Sequence, residues 1–245
     1  MYRQSINALI AFVFLTLAAC ANTQNLSKQV QFTPPPGPFK IAIMKPDVQV
    51  STLTAGGLLE PNADWTEKAR TNLLSTITAQ LSAKGGSLVS LDDLPPEQTL
   101  TVADFERLNR VVGSTIITHK LSQLPDLPTK KNRFDWTLGN GAQTIRNATN
   151  ADYALFLFAR DSFSSSGRQA MQVIGLASCF VGVCLSPGGG NQTAFVSLAD
   201  LKTGNIVWFN FLSKGTGDLR DPAGAAASVT TLIGSMPVTP LPAKK

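Results

Sequence analysis

The stretch that most constrains this chain is Ala151-Asp152-Tyr153-Ala154-Leu155-Phe156-Leu157-Phe158-Ala159-Arg160-Asp161. Successive side chains of a strand point to opposite faces, and here the middle of the run is apolar at every position. Such a strand needs cover on both sides, which makes it central in its sheet. Strands and helices alternate around it. Phe39–Lys45 reads as the first strand, closed by Pro46, with Val48–Leu53 as its extension or as an edge strand. Ser87–Leu91 is a further short strand. Thr193–Leu201 and Ile206–Leu212 flank a turn, Lys202-Thr203-Gly204-Asn205, and form a hairpin in which Gly204 and Asn205 can take positive φ. Within it Val207, Phe209 and Phe211 share one face, and Ile206, Trp208 and Leu212 the other. The expected fold class is α/β, a mixed β-sheet packed against helices in an α/β sandwich.

Four helical segments lie between and after these strands. Trp65, Ala69, Leu73, Ile77 and Leu81 recur every four residues behind a capping box, Asp64 with Glu67, and Gly85-Gly86 stops the pattern. A second helix is expected from Thr101-Val102-Ala103-Asp104, with Phe105, Leu108, Val112 and Ile116 as its stripe and His119 on or beside it. Asp135–Asn147 can form a third, weakened by Gly139 and Gly141. The last opens with Asp221 as cap and Pro222 at its first position, and buries Ala225, Ala226, Val229, Leu232 and Ile233.

The start of the chain has a different logic. Arg3 precedes an apolar run, Ala8–Leu17, which ends in Leu17-Ala18-Ala19-Cys20. A charged start, a short apolar core and small residues before a cut site make a secretory signal. The run is too short for a span, which needs about 20 apolar residues. Leu-Ala-Ala-Cys resembles the lipobox, in which the Cys thiol receives diacylglycerol and becomes the new N-terminus. That resemblance implies a signal peptide over 1–19, lipidation at Cys20 and a membrane anchor through it. Residues 20–38 are polar and then proline-rich (Pro34, Pro35, Pro36, Pro38) and read as a flexible tether with an extended habit. A single α/β domain follows over 39–236, and 237–245 is a tail. Ala21 is not Asp, so the inner-membrane retention signal of such lipoproteins is missing, and an outer-membrane anchor facing the periplasm is expected.

With Cys20 assigned to lipid, Cys179 and Cys184 remain. An exported chain permits a disulfide between them. A turn at Cys-x4-Cys would allow it; a straight helix would hold the thiols apart. A zinc site is not expected, because His119 is the lone histidine and structural zinc takes four ligands. No Gly-x-Ser-x-Gly elbow is present, and no nucleophile, base and orienter fall together, so neither catalysis nor a cofactor is expected. The net charge of +5 is scattered rather than striped, which does not suit nucleic acid. Lys130-Lys131-Asn132-Arg133 reads as solvated surface.

Ala170–Leu185 is nearly all apolar and lacks a polar face. It is expected to pack beside the Ala151–Arg160 strand with one edge free. The alternative makes it a partner or membrane contact through Val173, Leu176, Phe180 and Val183.

Ala151-Asp152-Tyr153 at a strand entry, followed by Asp200-Leu201-Lys202-Thr203-Gly204-Asn205-Ile206-Val207-Trp208, resembles the pattern Gly-Ala-Asp-Tyr … Asp-x-x-Thr-Gly-Glu-Val-x-Trp of a group of envelope lipoproteins. The group includes the curli-secretion channel lipoprotein, activators of penicillin-binding proteins and the amino-terminal domain of TolB. Asn150 stands where that group has Gly, and Asn205 where it has an acidic residue. The resemblance covers roughly 39–235. It implies a non-catalytic binding or assembly module for envelope proteins, partnered by another envelope protein or by itself. The alternatives are a subunit of an oligomeric secretion channel or a cell-wall-modifying hydrolase. Ala170–Leu185 does not alternate as paired membrane strands do, which counts against a pore.

Overall fold

The computed structural model describes residues 24–26, 39–91, 94–121, 125, 127–130, 133–178, 188–215 and 217–236. Its centre is an eight-stranded mixed sheet in the order β1-β8-β7-β6-β2-β5, with β3 on β6 and β4 on β3. The strands are β1 (Gln24–Leu26), β2 (Lys40–Ile43), β3 (Asp47–Leu53), β4 (Leu59–Pro61), β5 (Ser87–Val89), β6 (Tyr153–Ser164), β7 (Gln192–Asp200) and β8 (Ile206–Lys214).

As the sequence demands, β6 is central. On one side it runs antiparallel to β7, from Tyr153 opposite Asp200 to Asp161 opposite Gln192. On the other it carries two parallel neighbours end to end: β2 beside Tyr153–Leu155 and β3 beside Phe158–Ser164. The break between those two falls at Pro46, whose missing N–H cannot join a ladder.

Helices cover both faces. Tyr153, Leu155, Leu157 and Ala159 of β6 point to one core, with Ala194, Val196, Leu198, Trp208 and Leu212 of the hairpin. Helices α1 (Ala63–Ala83) and α5 (Pro222–Ile233) close that side through Ala69, Leu73, Ile77 and Leu81, and through Ala225, Val229, Leu232 and Ile233. Ala154 and Phe156 point to the other core, where α2 (Pro96–Ile116) and α3 (Gln143–Thr149) pack. A row of rings fills it: Phe158 stacks on Phe195 at 4.9 Å, and Phe195 on Phe209 at 5.4 Å.

The α1 stripe and the α5 cap are as the spacing predicts. The Asp221 carboxylate accepts from Gly224 N at 2.9 Å, and Pro222 follows it. The α1 cap falls earlier than expected: Asn62, not Asp64, accepts from Trp65 N at 3.0 Å. The second helix likewise starts at Pro96 rather than Thr101, because Pro95-Pro96 fixes the φ needed to open a helix. Its buried line runs through Val102, Asn109, Gly113 and Ile116, and Leu108 is left outside at 39% exposure.

Two further expectations fail for stated reasons. Asp135–Asn147 is not one helix. Trp136 O instead accepts from Ile206 N, and Leu138 N donates to Gly204 O, which ties this segment to the hairpin turn; α3 starts only at Gln143. In the hairpin, Leu198 faces Trp208 while Ala199 faces Ile206, so Val207 is an extra residue. The bulge reverses the alternation and puts Ile206 on the Phe209 face. In the turn only Gly204 has positive φ (76°), and a Cβ there would lie 2.1 Å from Gly139 O.

Within the stretch read as a tether, Gln24–Leu26 adds to the sheet, antiparallel to β8, with Gln24 opposite Ser213.

Candidate functional site

One end of the sheet gathers the features that call for explanation. There β3 and β6 finish together, Leu53 opposite Ser164, and β7 begins where β8 ends, Gln192 opposite Lys214. The β3–β4 hairpin tip, the helix α4 (Ser166–Ser178) and the loops at Gly188–Asn191 and Gly215–Gly217 all project from this end.

Asp161 holds these pieces together. It is 4% exposed. One oxygen accepts from Gln192 Nε2 (3.0 Å) and Leu219 N (3.1 Å), and the other from Ser162 N (2.9 Å). Gln192 Oε1 accepts in turn from Ser228 Oγ at 2.8 Å, and Lys214 Nζ donates to that hydroxyl at 2.9 Å. Burial pushes the Asp161 carboxyl above its ordinary range, against those donated hydrogen bonds. Burial also lowers the Lys214 ammonium. Beside them lies a polar cleft of about 110 Å³ lined by Asp161, Ser162, Phe163, Gly190, Asn191 and Gly217 among others. Gly190 is required at its wall, because a Cβ would fall 1.8 Å from Ser162 O. Both oxygens of Asp161 are committed to donors from β6, β7 and the loop before α5. The network therefore pins segments of β6, β7 and the loop before α5 to one another.

Next to the cleft, Arg220 is sandwiched by aromatic rings, 3.6 Å from Phe163 and 4.3 Å from Trp65. Its fork binds Asp218 at 2.7 Å, and that bond holds the Asp218 carboxyl below its usual range.

The outer surface of this end exposes large apolar side chains. On α4, Ala170, Val173, Ile174 and Ala177 are all exposed at the i, i+3, i+4, i+7 spacing of a single helix face. Val173 and Ile174 are each 68% exposed and Met171 45%. The hairpin tip adds Leu58 (70%) and Leu59 (58%). Arg168 joins the two, donating to Ala55 O at 3.3 Å and to Gly188 O at 2.9 Å.

The residues singled out by sequence therefore divide. Val173 stands in the open on α4, so the expectation that this part of Ala170–Leu185 packs on the sheet is wrong: of the α4 residues whose burial is described, only Gly175 is buried. Leu176 lies on α4, with its side chain outside the description. Cys20, Cys179, Phe180, Val183 and Cys184 lie outside the described residues. His119 sits in a π-helical turn, Ile117–Leu121, with Nδ1 2.9 Å from Pro125 O. Lys130 is not the solvated side chain expected: it is 19% exposed, lies over the Trp136 ring at 4.5 Å and pairs with Asp135, while Arg133 stays exposed. Among the described residues no three of His, Cys, Asp and Glu cluster as metal ligands, and no helix is long and apolar enough to cross a membrane. Sequence reading missed Asp161 and Gln192. Neither stood out, because both sit among polar neighbours, Asp161 between Arg160 and Ser162 and Gln192 between Asn191 and Thr193.

No protein-family model and no curated protein matches the sequence. Among the solved structures similar to the chain at low identity are the following three. Lipoprotein GNA1162 from Neisseria meningitidis is 11% identical, with a TM-score of 0.28 over 72% of this chain and 79% of its own. The PelC dodecamer from Paraburkholderia phytofirmans is 11% identical, at 0.32 over 86% and 98%. The LpoB C-terminal domain from Salmonella enterica is 16% identical, at 0.27 over 75% and 87%. Scores this low carry nothing about function.

Proposed function

We propose that the chain is an exported lipoprotein, held in the outer membrane through Cys20 and facing the periplasm, that acts as a non-catalytic binding or assembly module for envelope proteins. The observation that carries the reading is the sequence of the first twenty residues: one basic residue, a short apolar core, and Leu-Ala-Ala before Cys20. A contact role is supported by α2. Leu100, Leu108 and Val111, 69%, 39% and 61% exposed, share the face opposite its buried line.

Two measurements test it. Mass spectrometry of the mature chain should find acyl groups on Cys20, and Cys20→Ala should leave the protein unprocessed or release it from membranes. Membrane retention of a normally processed Cys20→Ala chain counts against the anchor. A photo-crosslinking side chain at Val111 in whole cells should give a discrete protein adduct. Absence of any adduct there and at Leu100 removes the contact role.

A further inference from the structure

We infer that the sheet end carrying α4 and the β3–β4 hairpin rests on the lipid bilayer, with Val173, Ile174, Leu58 and Leu59 at the boundary of headgroups and acyl chains. The inference rests on the Cys20 anchor proposed above and adds the surface that meets the membrane.

The argument is one of register and reach. Gln24 lies opposite Ser213, and Ser213 opposite Thr193, at the end of the sheet where β6 leaves for α4. Cys20 is four residues before Gln24. Four residues span at most about 14 Å. An acylated Cys20 therefore holds the bilayer within that distance of this end, whereas the opposite end, with the turn at Lys202–Asn205, lies the length of β7 away.

The surface at the near end suits lipid. Helix α4 has thirteen residues, enough to lie about 20 Å along an interface. Its exposed apolar face is Ala170, Val173, Ile174 and Ala177, and the helix contains no acidic residue to repel anionic headgroups, while the hairpin carries the exposed Glu60 beside Leu59. Arg168 ties the first turn of α4 to the hairpin at Ala55 O. Exposure of these large apolar side chains in water is costly, and a bilayer placed there by the anchor removes it.

The test uses the full mature lipoprotein in vesicles of phosphatidylethanolamine and phosphatidylglycerol, with and without bromine on the acyl chains. Val173→Trp and Leu58→Trp are the reporters, Lys202→Trp is the control, and emission from the unsubstituted chain is subtracted. Bromine should quench the added emission at 173 and 58 by roughly twofold or more, and leave that at 202 unchanged. Equal, weak quenching at all three positions with Cys20 acylated overturns the inference and leaves the anchor intact. An unacylated Cys20 overturns both. Emission at 173 that shifts with protein density but not with bromine overturns it in favour of a second copy as the cover.

Discussion

Gly113 presses directly on Phe195: a Cβ at 113 would lie 2.3 Å from the ring's Cε2. The ring is itself stacked between Phe158 and Phe209 and has nowhere to retreat. Alanine normally gains about 1 kcal/mol over glycine inside a helix. Here overpacking outweighs that gain, so Gly113→Ala is expected to lose about 1–2 kcal/mol net in denaturant unfolding. A stabilised variant would mean that α2 can slide off the sheet.

One turn earlier, Ser197 Oγ donates to Asn109 Oδ1 at 2.5 Å, with both residues essentially buried. Asn109→Ala strands the hydroxyl and should cost about 1–3 kcal/mol. The double variant with Ser197→Ala should cost less than the two singles added, by at least about 0.5 kcal/mol in a double-mutant cycle. Simple additivity would show that the two groups do not rely on each other.

The Asp161 carboxyl, raised by burial, binds its proton more tightly in the folded chain than in the unfolded one. Its contribution to stability is therefore fully present below the ordinary value of about 3.9 and is lost as the pH rises through the raised one. Asp161→Asn does not titrate. The melting temperature of the parent minus that of the variant should be largest below about pH 4 and shrink toward neutrality. The variant also turns an amide toward one donor, which adds a loss independent of pH. A difference that grows with pH would reverse the assignment.

Asn150 is the C-cap of α3, at φ 52° and ψ 32°, and its N–H donates to Arg146 O at 2.7 Å. This left-handed position explains why a Gly, as in the envelope-lipoprotein pattern, and the Asn of this chain serve equally before Ala-Asp-Tyr. Asn150→Gly should change stability by only a few tenths of a kcal/mol, and Asn150→Val should lose about 1–2 kcal/mol by thermal or denaturant unfolding. Equal stability of both variants would place the cap elsewhere.

What could be read in the sequence follows from what periodicity measures. The α1 stripe and the central place of β6 were legible because their apolar residues repeat at the period of the element. The buried face of α2 was hidden, since Asn109 and Gly113 are buried by a hydrogen bond and a close approach, not by hydrophobicity. The bulge at Val207 was hidden because one inserted residue leaves composition unchanged and reverses every side chain beyond it. The segment at Trp136–Leu138 reads as helix locally, but its backbone groups serve the hairpin turn across the fold. The end of the sheet was the least legible. An apolar run announces burial, and nothing in Val173 or Ile174 states that the neighbouring protein stops short of them.

The outermost strands have their own consequence. β1, β4 and β5 each have three residues, and each terminates a row of the sheet. Strands this short give an incoming chain little ladder to copy. Association through added strands, whether with a partner or in aggregation, is thereby discouraged at β4 and β5, and at β1 over the Phe211–Ser213 part of β8. A partner docking at these margins would meet side chains on helices and loops, where specificity depends on shape and charge instead of on backbone pairing that any extended peptide could imitate.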